Sequence, residues 1–202
     1  MFEFRLDALG DLESSLDKFL PKSPLPFIVT NRPSWEGGNF RGSESDRLDI
    51  LKEAVELGAD YVDIEVRTDS ALRSAFIQDI SGKGAQTILS FHDFEKTPPI
   101  KELKTILDMQ IDGGAAIGTI VTMANSQHDI ARLFSLYEYA WDLNFRLLAF
   151  CMGTIGKASR VAALSVGAPW MYVSPSDGKE TAPGQLNISE AYSILKILNI
   201  NS

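Results

Sequence analysis

The chain has 202 residues, 45% of them apolar and 23% charged, with a net charge of −8. That length suits a single domain, residues 1–202, with a sizeable core, and is short for two domains. The acidic balance and the lack of a basic run argue against nucleic acid or an anionic membrane surface as a partner.

The single cysteine, Cys151, excludes an internal disulfide and suits a reducing compartment such as the cytoplasm. Two histidines and one cysteine are too few for a usual zinc site, and no nucleotide loop or metal triad points to a cofactor. Apolar stretches such as 147–152 fall far short of membrane-spanning length. Glu3 and Asp7 interrupt any signal-like start.

Taken in chain order, short β-branched or aromatic runs alternate with helical patterns. A strand over 2–6 precedes a helix over 11–20, and a strand over 27–30 precedes a helix over 44–57. In that helix Leu48, Leu51, Ala54 and Val55 recur at helical spacing, with Ser43 or Ser45 as N-cap. Strands over 61–66, 87–91, 116–122 and 145–151 are followed by helices over 70–78, 99–110, 126–141 and 157–165. A seventh strand over 170–173 leads to a last helix over 188–198. Strands alternating with helices imply a parallel sheet with crossover connections, and the apolar run 147–150 suits a strand buried on both faces. Seven strand–helix pairs come close to the eight of a (β/α)8 barrel.

Barrel chemistry sits at the C-terminal ends of strands. Several polar side chains fall at such places. Glu3 and Arg5 are two apart and leave one face of their strand. Arg32 and Glu36 follow the second strand, and His92 follows the fourth. Met152 and Arg160 follow the sixth, while Thr181 and Gln185 lie in the Gly/Pro/Ser-rich loop 174–187. Asp63 and Glu65 share a strand face, where they either enter the barrel interior or cap a layer through backbone or Arg67 contacts. Taken singly, each has a plain structural role. Their joint order and spacing are what point to a site.

That order resembles the type I 3-dehydroquinate dehydratases of the shikimate pathway. The phrases that carry it are Glu3-Phe4-Arg5-Leu6-Asp7, Thr30-Asn31-Arg32 through Glu36-Gly37-Gly38, Ser90-Phe91-His92-Asp93-Phe94, Ser126 through Asp129, and Ala182-Pro183-Gly184-Gln185. The resemblance implies a TIM-type (β/α)8 barrel and a lyase that needs no cofactor or metal. The first phrase is similar to the family's second-strand motif, so the first strand is expected to be missing at the N-terminus. An unpaired strand edge of that kind leaves a homodimer open.

The resemblance also implies roles. His92 stands for the general acid/base, whose imidazole titrates near neutrality. Glu36 stands for the carboxylate that orients it, and Arg160 for the guanidinium that grips the substrate carboxylate. Glu3, Arg5 and Arg32 stand for contacts to the ring hydroxyls, Met152 for a pocket wall, and Thr181 and Gln185 for a closing loop. One position departs from the family. Thr119 occupies the place of the lysine that forms an imine with the substrate ketone, and residues 105–156 contain no lysine to replace it. Lys157 and Lys179 lie at loop-like positions. Two outcomes stay open: a dehydratase whose imine step is lost, or a barrel that binds dehydroquinate-like ligands without turning them over.

Overall fold

The computed structural model describes residues 1–9 and 24–200 of the chain. The helix expected over 11–20 lies outside the described residues. Six strands and six α-helices are assigned among the rest. They fall into two compact units, Met1–Phe91 with Met109–Ala116, and His92–Asp108 with Ile117–Ser202.

The first unit starts with strand β1 (Phe2–Arg5) and β2 (Phe27–Thr30), paired in parallel with Glu3 beside Ile28 and Arg5 beside Thr30. Helix α1 (Glu44–Glu56) returns the chain to β3 (Tyr61–Glu65), which pairs in parallel with β2 and with β4 (Gln86–Asp93). Helix α2 (Ser70–Ile80) makes the crossover from β3 to β4. The connections from β2 to β3 and from β3 to β4 are thus strand–helix–strand crossovers, as parallel pairing demands. The helix starts follow side-chain chemistry. Ser43 accepts the N–H of Asp46, and Asp69 accepts those of Ala71 and Leu72. The apolar faces of α1 and α2 meet the strands in one core that contains Val29, Leu51, Val62, Ile64, Phe76 and Leu89.

The second unit carries most of helix α3 (Ile100–Asp112), and β5 (Ile117–Met123) and β6 (Leu147–Met152), which run parallel with Thr119 beside Leu148 and Met123 beside Met152. Helix α4 (Gln127–Asp142) opens where the Asp129 carboxylate accepts the N–H groups of Asn125 and Ser126. Buried Tyr137 of that helix bonds both the N–H and the C=O of Ala149, fixing α4 on β6. Helix α5 (Gly153–Ser165) begins immediately after β6, four residues earlier than its spacing predicts. Gly156 permits this closeness, because a Cβ there would lie 2.6 Å from the backbone of Cys151. Helix α6 (Ile188–Leu198) is capped by Asn187 and packs Ala191 against Val161 and Leu186.

One expectation is corrected. The seventh strand over 170–173 does not form, and the nearest ladder is a single bridge between Ser174 and Asn187. Pro169 and Pro175 bracket that segment, and a proline can neither donate to a ladder nor leave its neighbour's backbone free. The fifth strand runs to Met123, one residue beyond its expected end, with Thr119 inside it.

Candidate functional site

In the first unit the strand ends collect charge. Arg32, 5% exposed, follows β2, and its guanidinium lies among carboxylates. Its Nη1 bonds Glu65 Oε1 and Ser90 Oγ, each at 2.5 Å, and its Nη2 bonds Asp63 Oδ2 at 2.8 Å. Glu36, buried in the short 3-10 turn Ser34–Glu36, lies 3.8 Å from Nη1. The alternation of β3 turns Asp63 and Glu65 to one side, where both meet this arginine. Burial would drive a proton off Arg32, but Asp63, Glu65 and Glu36 outweigh it and hold the group charged. Burial also lifts the Glu65 carboxyl to about 7, even though Arg32 and Arg47 oppose the rise.

Glu3 and Arg5 take different partners. Glu3 Oε1 accepts the Thr30 hydroxyl at 2.8 Å, and burial raises its carboxyl. Arg5 forks onto Asp7 with two 2.8 Å hydrogen bonds. Asp7 in turn accepts the backbone N–H of Arg32 and of Asn39, so it ties β1 to the loop that carries Arg32 and Glu36. Gly38 closes that loop, since a Cβ there would collide with the Arg32 carbonyl. Half-exposed Arg67 lies over the Phe91 ring at 4.3 Å and 3.9 Å from Glu36; it makes no ion pair with Asp63 or Glu65 among the described residues.

In the second unit Arg160 is the focus. It comes from α5, is 2% exposed, and stacks its guanidinium 4.4 Å from the Phe150 ring centre. Its Nη2 donates to the Pro183 carbonyl at 3.0 Å, and that carbonyl also accepts the N–H of Gly153. No carboxylate pairs with Arg160 among the described residues, and its Nε has no hydrogen-bond partner there. Burial without a counter-charge pulls the group down to about 10. Gln185 is buried and accepts from the N–H and hydroxyl of exposed Thr181, shaping the loop that reaches Arg160 through Pro183. Met152, fully buried, ends β6 just before Gly153.

His92, part-buried near the end of β4, stacks on Phe94 at 6.3 Å. Thr119 is 1% exposed on β5. Lys157 Nζ lies 3.7 Å from a Glu190 carboxylate oxygen. The structure therefore gathers Glu3, Arg5, Arg32 and Glu36 in one unit, and Met152, Arg160, Thr181 and Gln185 in the other. Asp7 and Ser90 fall within the family's phrases but, like Arg47, were given no role in the site from sequence. Only the Arg-x-Asp spacing of Arg5 and Asp7 hints at one of them, because the other contacts join distant elements.

Type I 3-dehydroquinase is the family whose pattern matches, over residues 1–202. The 3-dehydroquinate dehydratase of Desulfotalea psychrophila is 40% identical over 190 residues, which cover 94% of this chain and 83% of that protein. The one of Methanococcus maripaludis is 34% identical over 198 residues, covering 97% of this chain and 87% of the relative. Among solved structures, the 3-dehydroquinate dehydratase from Aquifex aeolicus superposes with a TM-score of 0.81 at 29% identity, over 98% of this chain and 88% of that one. The parallel α/β architecture is that of these enzymes, and with a family match along its whole length this chain belongs to the type I 3-dehydroquinases.

Proposed function

We propose that the chain acts on 3-dehydroquinate, as its relatives are named for doing, and that its reaction is dehydration to 3-dehydroshikimate in the cytoplasmic shikimate pathway. No cofactor enters this reading. One domain built on a parallel strand–helix barrel of the family's type is the proposed scaffold. The observation that carries the reading is Arg160, a buried guanidinium whose Nε has no hydrogen-bond partner and which has no carboxylate beside it among the described residues. A substrate carboxylate is the ligand that such a group lacks.

The roles follow from chemistry. His92 takes the proton alpha to the ketone. The bond to the beta hydroxyl then breaks, a double bond forms between the two carbons, and His92 returns the proton to the departing oxygen as water. Glu36 serves as the carboxylate that orients that histidine. Glu3, Arg5 and Arg32 read the ring hydroxyls, Met152 forms part of the wall, and Thr181 and Gln185 close the loop.

Thr119 limits the rate. The family's imine would draw electrons from the carbanion, and a hydroxyl offers only a hydrogen bond to the ketone oxygen. Buried Thr119 favours a second reading, in which the chain binds the substrate and hardly turns it over. One experiment separates the two. The unmodified chain should bind 3-dehydroquinate by calorimetric titration, form little conjugated enone by ultraviolet absorbance, and take up no mass when treated with borohydride. Thr119→Lys should restore both absorbance and trapping. Rapid turnover with Thr119 in place would overturn the requirement for an imine, and absence of binding would overturn the substrate assignment.

A further inference from the structure

We infer that Arg47, on helix α1, is a positioning residue: it fixes the carboxylate of Glu65, which in turn aims Arg32. The inference rests on the reading above only in taking Arg32 as a ligand contact.

Arg47 is fully buried on α1, the helix between β2 and β3, and its guanidinium has two working edges. The outer edge forks onto Glu44, with Nε 2.9 Å from Oε2 and Nη2 2.6 Å from Oε1. Nη2 also bonds Thr68 at 3.1 Å. The inner edge donates Nη1 to the Asn31 carbonyl at 3.0 Å and places Nη1 2.7 Å from Glu65 Oε2. Glu65 spends its other oxygen, Oε1, on Arg32 at 2.5 Å. One carboxylate is thus shared by two arginines, one oxygen each. Arg47 also grips the backbone of Asn31, the residue immediately before Arg32.

This arrangement makes the state of Glu65 depend on Arg47. The charged groups facing Glu65 are Arg32 from the loop after β2, Arg47 from α1, Glu36 from the 3-10 turn, and Asp63 from its own strand. Ser90 of β4 shares Arg32 Nη1 with it. Two negative neighbours and burial favour the protonated acid, and only the two arginines oppose them. Removing Arg47 leaves one. Glu65 would then take up a proton at neutral pH, its pull on Arg32 Nη1 would weaken, and Asp63, Ser90 and Glu36 would be left to set the guanidinium's direction. With a positive neighbour lost, the midpoint of Glu65 moves upward, so the defect is largest above neutrality and fades in acid, where Glu65 is protonated in either protein.

The test compares the full chain with Arg47→Gln, Arg47→Lys, Glu65→Gln and the Arg47→Gln/Glu65→Gln double variant. In the ligand-free proteins, carboxyl-carbon NMR should find the Glu65 midpoint moved up in Arg47→Gln and nearly restored in Arg47→Lys. The Arg32 side-chain nitrogen signals should broaden in step. Calorimetric titration with 3-dehydroquinate at pH 8 should show affinity reduced by about tenfold or more in Arg47→Gln, with the gap closing by pH 5.5. The double variant should bind no more weakly than Glu65→Gln, because both changes act through one carboxylate. A lower melting temperature with an unmoved Glu65 midpoint, or losses that simply add, would overturn the inference. If the unmodified chain fails to bind 3-dehydroquinate, the substrate assignment fails, and the NMR midpoints still decide the role of Arg47. Should Arg47→Gln not fold, Arg47→Lys and Glu65→Gln keep the comparison decisive: an Arg32 signal indifferent to Glu65→Gln refutes it.

Discussion

At the scale of single residues, the two units treat their arginines in opposite ways. Arg32 is over-supplied with carboxylates, while Arg160 has an aromatic face and a carbonyl but no carboxylate among the described residues. Arg160→Ala should therefore weaken 3-dehydroquinate binding by about 2–5 kcal/mol, measured by titration calorimetry, the range for removing one partner of a buried charge contact. Loss of melting temperature without loss of affinity would assign the arginine to the fold alone. Asp7 makes a complementary prediction. Burial tends to raise its carboxyl, but Arg5 and the N–H groups of Asn39 and Arg32 outweigh burial and lower it. A carboxyl lowered by folding adds stability that is fully present above its unfolded value of about 3.9 and is lost as pH falls through the lower folded value. Asp7→Asn should cost about 1.5–3 kcal/mol at pH 7 in denaturant unfolding and flatten the acid limb below about pH 4. The motif residues Glu3, Arg5 and Arg32 were readable from their order in the chain, and the pairing that gives each its charge state was not.

At the scale of elements, the chain's punctuation is local and strong. Ser43, Asp69 and Asn187 each bond helix N–H groups a few residues ahead, so the starts of α1, α2 and α6 are written in adjacent residues. Asn187 has a second duty, because it ends the loop that carries Thr181 and Gln185 and its N–H is held by Glu190. Asn187→Ala should cost about 1 kcal/mol in denaturant unfolding, the usual loss for an N-cap. Hydrogen exchange should rise at Thr181, whose N–H is held by Gln185, if the cap also steadies the loop. Unchanged exchange with the full stability loss would confine Asn187 to capping. Element ends were less legible where geometry had to intervene. Helix α5 starts at Gly153 because Gly156 lets its first turn approach β6, a fact about clearance rather than periodicity. The extended run after Pro169 has strand-like residues, yet it gains no ladder because pairing needs a neighbouring strand as well as propensity.

At the scale of the whole molecule, each unit has its own buried apolar cluster, and the first is built where α1 and α2 cover β2–β4. Phe76, 1% exposed, lies in that cluster. Phe76→Ala should cost about 3–5 kcal/mol, read as a lower denaturant midpoint at an unchanged slope. A cost below 1 kcal/mol would mean that this core collapses around the missing ring. No described helix is long and apolar enough to cross a membrane. The sequence by itself determined the alternation of strands and helices, the N-cap of α1, the family's phrases and the absence of an amine at Thr119. Those features are local, because periodicity, capping and motif order are set by residues within a few positions of one another. Only the tertiary structure decided which charges meet. Arg32 finds Asp63, Glu65 and Ser90 at separations of 31, 33 and 58 residues, and Arg160 reaches Pro183 across 23. Whether a buried arginine is matched or left open for a ligand depends on such distant contacts, since the charge state of a desolvated group is fixed by whatever the fold places beside it.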